Sequence, residues 1–139
     1  MAAKDYKVLI VDDHMVMRAM VKNFCTEMGF TDFSFAEDGT DALEQIKAQT
    51  FDVVLVDWNM PKMSGFDVLK AIRGNPSFDG IAVVMITAEA EKEYVLKAVE
   101  AGVTSYITKP FSQEDFEKKM KGVLAWLRNH KKDHAWRND

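Results

Sequence analysis

Four short apolar runs dominate this chain, and each ends on a residue able to do chemistry. Val8-Leu9-Ile10-Val11 leads into Asp12-Asp13, and Val53-Val54-Leu55-Val56 leads into Asp57. Ala82-Val83-Val84-Met85-Ile86 leads into Thr87, and Ser105-Tyr106-Ile107-Thr108 leads into Lys109-Pro110. Runs this short, rich in β-branched residues and without polar alternation are predicted to be parallel strands buried on both faces. Open parallel sheets hold their ligands beyond the carboxyl ends of the strands. Three acids, a hydroxyl and an ammonium are thereby expected to meet in one place, a set suited to a divalent metal and a phosphoryl group.

Segments of helical period separate the runs. Met17, Met20, Val21, Phe24, Cys25 and Met28 form one stripe, closed by Gly29. Ala42, Leu43 and Ile46 mark a second helix, and Val68, Leu69 and Ile72 a third that Gly74-Asn75-Pro76 breaks. Tyr94, Val95, Ala98 and Val99 mark a fourth, and Ser112-Gln113-Glu114-Asp115 opens a fifth close to a capping box. Asp32 to Ala36, with Phe33 and Phe35 alternating, is predicted to be an edge strand. The pattern predicts an α/β protein, a (βα)5 doubly wound parallel sheet with right-handed crossovers. The flavodoxin-like order 2-1-3-4-5 is favoured because it sets Asp12-Asp13 beside Asp57. One domain is expected over residues 5–128, followed by a polar, mobile tail over 129–139 in which the last helix frays from about Arg128.

Composition narrows the partners. A formal charge of −4 argues against nonspecific nucleic-acid binding, and no apolar stretch approaches the length of a membrane span. The single Cys25 makes no internal disulfide, as suits a cytoplasmic protein, and the chain is expected to act as a monomer. Cys25 and the methionines of the first stripe are expected to be packing residues.

At the strand ends, Asp12, Asp13 and Asp57, with a backbone carbonyl near Asn59, make an oxygen set suited to Mg²⁺. Asp12 or Asp13 alone equally suits an N-cap of the first helix, but Asp57 does not, since Trp58-Asn59-Met60-Pro61 precedes the helix near Ser64. Asp57 also suits nucleophilic attack on phosphorus, with Thr87 and Lys109 contacting the transferred group. Taken singly, Thr87 reads as a helix cap, Lys109 as an exposed strand-end lysine and Tyr106 as a half-buried edge aromatic. His14 reads as a surface histidine at a helix start, and Trp58 as a residue that shields the site or lines its rim.

Through Asp12-Asp13, Asp57-Trp58-Asn59-Met60-Pro61, Thr87-Ala88-Glu89-Ala90 and Lys109-Pro110-Phe111, the chain resembles the receiver domain of two-component response regulators. The single-domain chemotaxis regulators are the nearest part of that family. The resemblance implies that Asp57 accepts phosphate from a histidine kinase, that Asp12 and Asp13 serve Mg²⁺, and that Thr87 and Lys109 read the phosphoryl group. It implies a cis bond at Lys109-Pro110, a tuning role for Asn59 and Glu89 in the lifetime of the phosphorylated state, and a coupled Thr87–Tyr106 switch. Output is then expected through a face carrying Ala90, Lys92, Val95, Tyr106 and Lys119, to the flagellar motor switch, with a phosphatase as a further partner. The alternative is a stand-alone receiver in a phosphorelay, a phosphate sink or a non-motor pathway. Glu91-Lys92 stands where chemotaxis regulators often carry a basic pair, and Gly122 where they carry a second lysine.

Two rivals fit less well. A flavin-binding flavodoxin wants Ser, Thr and Gly after the first strand, where this chain has Asp-Asp-His. A free-standing aspartyl phosphatase wants an acid two residues after the nucleophile, where this chain has Asn59. The expectation is a switch rather than an enzyme, its chemistry confined to self-catalysed phosphoryl transfer and slow autodephosphorylation.

Overall fold

The computed structural model describes the backbone of residues 2–138 and the side chains of residues 2–130. Strands Lys7–Val11 (β1), Asp32–Ala36 (β2), Val53–Val56 (β3), Ala82–Thr87 (β4) and Ser105–Thr108 (β5) alternate with helices. The helices are Met15–Glu27 (α1), Gly39–Ala48 (α2), Gly65–Arg73 (α3), Lys92–Glu100 (α4) and Gln113–Asn138 (α5). The strands pair in parallel in the order β2-β1-β3-β4-β5.

The central strands are apolar between Lys7, which opens β1, and Thr87, which ends β4, because both faces of the sheet are covered. Val8, Ile10, Leu55 and Val84 pack with Val21 and Cys25 of α1 and Phe116 and Met120 of α5. Leu9, Val11, Val54 and Val83 pack with Ile46 of α2, Leu69 of α3 and Ala98 of α4. In the α1 stripe Val21 and Cys25 are fully buried, while Met17, Phe24 and Met28 pack at the margin of the core. On the edge strand β2, Phe33 is partly covered and Phe35 stays 40% exposed.

Local chemistry sets the helix ends. Asp38 and Ser64 cap α2 and α3 by accepting from the amides of Asp41 and Asp67. Ser112 and Asp115 exchange side-chain-to-amide bonds of 3.0 and 3.4 Å, a reciprocal cap at the start of α5. The backbone of α5 continues to Asn138, past the fray expected near Arg128; the chain holds no Gly or Pro after Gly122 to stop it. The mobile tail expected over residues 129–139 falls, beyond residue 130, outside the residues whose side chains are described. Among the described residues, no helix is long and apolar enough to cross a membrane.

Register brings the chemistry together. Val11 pairs with Val56, so Asp12 and Asp57 leave neighbouring strands at the same level, and the Asp57 amide donates to the Val11 carbonyl at 3.1 Å. Thr87 pairs with Thr108, and the Lys109 amide donates to the Thr87 carbonyl at 2.9 Å.

Candidate functional site

Among the described residues, the buried polar side chains are Asp12, Asp57 and Thr87. All three stand at the carboxyl end of the sheet. Burial of such groups is costly without partners, and Lys109 supplies one. Its ammonium lies 2.8 Å from Asp57 Oδ2 and 3.1 Å from Asp12 Oδ2. Burial alone lowers the Lys109 pKa, but the bonds and charges of Asp57 and Asp12 outweigh it and raise the value overall. The Lys109-Pro110 bond is cis.

Asp13 sits at the outer edge. His14 Nδ1 is 3.0 Å from Asp12 Oδ1 and 3.1 Å from Asp13 Oδ1. The His14 amide donates to Asp12 Oδ1 at 2.9 Å, and Arg18 donates to the Asp12 carbonyl at 2.7 Å, pinning the turn between β1 and α1. Neither acid is the N-cap of α1; His14 occupies that position and makes no side-chain cap bond.

On the other side, the Asn59 amide N–H donates to Asp57 Oδ1 at 3.2 Å, and Asn59 Nδ2 donates to Glu89 Oε1 at 2.6 Å. The Thr87 hydroxyl accepts from the Glu89 amide at 3.3 Å and is not the cap of α4, which begins after Glu91. Tyr106 donates its hydroxyl proton to the Glu89 carbonyl at 2.5 Å. Burial, then the charges of Glu89 and Asp57, push the Tyr106 pKa up to about 12.

The structure thus joins Asp12, Asp57 and Lys109 directly, adds Asp13 through His14, and links Asn59, Thr87 and Tyr106 through Glu89. Of the expected output face, Val95, Tyr106 and Lys119 line a groove of about 420 Å³ with Pro110 and Phe111. Ala90 and Lys92 are exposed but do not line it. Trp58 corrects the sequence reading. It lies inside rather than on the rim, stacked on Phe66 at 4.8 Å and edge-on to Tyr94 at 5.0 Å, in the layer beneath α3 and α4. Sequence reasoning also missed Gly65, whose amide donates to the Trp58 carbonyl at 2.8 Å. A Cβ built on Gly65 would stand 1.9 Å from the Asp57 carbonyl oxygen, so no larger residue fits behind the acid. Only the bare glycine after Ser64 hinted at it.

A five-stranded parallel sheet with buried acids and a lysine at its carboxyl end defines a class, and comparison agrees: the chain belongs to the response regulator receiver domain family, whose pattern matches residues 8–121. It is 45% identical over 124 residues to chemotaxis protein CheY-3 of Vibrio cholerae serotype O1, covering 89% of this chain and 95% of that protein. It is 40% identical over 118 residues to chemotaxis protein CheY of Pseudomonas aeruginosa, covering 85% and 95%. Among solved structures, the CheX-CheY-BeF3-Mg complex of Borrelia burgdorferi matches with a TM-score of 0.78 and 30% identity, over 86% of this chain and 89% of that one.

Proposed function

We propose that the chain is a phosphorylation-activated switch that accepts phosphate on Asp57 from a histidine kinase and signals by binding another protein in the cytoplasm. The observation that carries this reading is the buried Asp57 carboxylate held 2.8 Å from Lys109 and level with Asp12. The donor set suits Mg²⁺. Two carboxylates, Asp12 and Asp57, share one ammonium and Asp13 adds a third acid at the edge, which leaves negative charge for a small hard cation at Asp12, Asp13 and Asp57, with Asn59 as the backbone ligand. Bound there, Mg²⁺ supplies positive charge that offsets the charge on the phosphoryl oxygens.

The protein's own groups do the rest. An Asp57 oxygen attacks phosphorus, the P–N bond to the kinase imidazole breaks, and an acyl phosphate forms on Asp57. Lys109, already at Asp57 Oδ2, follows the new negative charge onto a phosphoryl oxygen. Thr87 turns its hydroxyl proton to another, giving up the Glu89 amide, and Tyr106 moves with it. Hydrolysis returns the switch slowly, at a rate set by Asn59 and Glu89, and the chain has no further enzymatic activity.

The likeness to chemotaxis proteins supports the flagellar motor switch as target, through the Val95–Tyr106–Lys119 groove flanked by Ala90 and Lys92. A phosphatase is a further partner; a relative's structure shows such a regulator held in complex with a second protein, CheX. A phosphorelay, phosphate-sink or other non-motor role is the second reading, favoured by Gly122. A Cβ built there meets nothing within 4 Å, so α5 presents a bare patch where a lysine would reach out.

Capture from host lysate tests the reading, using wild type with and without Mg²⁺ and beryllofluoride, and activated Asp57→Asn. Retention of a flagellar switch component by activated wild type alone is the expected result. Retention of only a different output protein moves the chain to the second reading, and identical capture in all three samples overturns the switch.

A further inference from the structure

His14 read from sequence is a histidine at a helix start; the fold gives it two acid neighbours. Its Nδ1 stands 3.0 Å from Asp12 Oδ1 and 3.1 Å from Asp13 Oδ1. Asp12, Asp13 and His14 can each offer one donor atom, all within 4.8 Å of one another. We infer that His14 is a nitrogen donor to the divalent-cation position at Asp12 and Asp13, and that it shifts the preference of that position from Mg²⁺ toward Ni²⁺ and Zn²⁺. The inference rests on the metal position proposed above and adds a ligand to it.

Three observations carry it. The His14–Asp12 contact is a hydrogen bond in this structure, and adjacent donors on an ion with bonds of about 2.1 Å also lie roughly 3.0 Å apart, so His14 Nδ1 stands at ligand spacing from each acid. The two oxygens of Asp12 are divided: Oδ2 faces Lys109 and Oδ1 faces His14, so a cation at Oδ1 leaves the lysine bridge intact. The His14 side chain is 69% exposed while its amide is fixed on Asp12 Oδ1, which leaves room for waters to complete the shell. Oxygen-only sites suit Mg²⁺, whereas an imidazole raises affinity for later first-row ions.

The test titrates wild type, His14→Phe and Asp13→Asn with MgCl2 alone and NiCl2 alone, reading heat and Trp58 fluorescence. The ¹⁵N signals of the His14 imidazole are followed with ZnCl2. His14→Gln serves as a second variant, and circular dichroism checks the fold of each. The expected result is at least a tenfold loss of Ni²⁺ affinity in both His14 variants, an Mg²⁺ affinity within about threefold of wild type, and a Zn²⁺-induced shift at His14 Nδ1. Equal Ni²⁺ affinity in wild type and the His14 variants, or an unshifted His14 signal at Zn²⁺ saturation, overturns the inference while leaving the Mg²⁺ reading intact. Mg²⁺ affinity unchanged by Asp13→Asn overturns both.

Discussion

Gly65 is where one methyl group should do the most harm. It opens α3 directly behind Asp57, the proposed phosphoacceptor, and a Cβ there stands 1.9 Å from the Asp57 carbonyl oxygen and 2.7 Å from its carbonyl carbon. Carbon–oxygen contacts come no closer than roughly 3.3 Å, so Gly65→Ala must separate the start of α3 from the end of β3 by about 1.4 Å. Both sides are backbone, and no rotamer change relieves the clash. Overpacking on this scale costs about 3 kcal/mol, and the melting temperature should fall by roughly 10 °C. The displacement lands on Asp57 itself, and an ångström of misplacement can cost about 100-fold in rate. Phosphorylation by acetyl phosphate with Mg²⁺ should therefore slow by at least tenfold. Gly122→Ala is the internal control: it sits exposed within α5 with nothing within 4 Å, and should gain about 0.5–1 kcal/mol with an unchanged rate. Urea unfolding followed by Trp58 fluorescence, and a gel shift for phospho-Asp57, read the two effects separately. A Gly65→Ala protein as stable as wild type and phosphorylated as fast would refute the argument from close approach.

Lys109→Met removes the charge between Asp12 and Asp57; Mg²⁺ should then bind about tenfold tighter by calorimetry, since an ammonium no longer competes, while beryllofluoride affinity in the same cell falls at least tenfold. Tyr106→Phe tests the raised Tyr106 pKa. A group that holds its proton more tightly when folded stabilises the fold below its unfolded value of about 10 and loses that contribution as pH rises through about 12. Wild type should accordingly lose stability more steeply than Tyr106→Phe across that window in urea melts; parallel curves would show that burial and the nearby Glu89 and Asp57 charges do not hold the proton. Ser64→Ala deletes the α3 cap and should cost about 1 kcal/mol by the same melts.

The strands were legible because burial on both faces strips them of polar residues, and Val8–Val11 or Val53–Val56 has no other good reading. Strand order followed from chemistry, since Asp12 and Asp57 can share a site only when β1 and β3 are neighbours. What stayed hidden depends on direction and distance rather than residue type. Nothing in Asp57-Trp58 says that the acid faces out and the indole faces in; the turn after β3 decides it by placing Trp58 against Phe66 and Tyr94. Gly65 matters for a backbone approach that no pattern encodes. The polar composition after Arg128 suggested fraying, but polarity does not end a helix when no Gly or Pro intervenes.

Glu89 explains how a buried site can speak to a distant groove. Its amide donates to Thr87, its carboxylate accepts from Asn59 and its carbonyl accepts from Tyr106, so three parts of one residue touch the acid side, the hydroxyl and the tyrosine of the proposed output face. If the Thr87 hydroxyl swings toward a phosphoryl group far enough to leave the Glu89 amide, that amide loses its acceptor. The segment from Ala88 to Glu91 precedes the start of α4, and Glu91 joins the helix through its carbonyl, which accepts from the Tyr94 and Val95 amides, with no side-chain cap bond. A shift of that segment moves the Glu89 carbonyl and with it the anchor of Tyr106, which lines the groove beside Val95 and Lys119. Inverting a switch from mostly off to mostly on takes about 5.5 kcal/mol of differential stabilisation. Bonds to charged groups contribute about 1.5–3 kcal/mol each. Lys109 and Thr87 on the phosphoryl oxygens are of the right order to supply most of it, and the loop that relays their movement is short enough to lose little of it on the way.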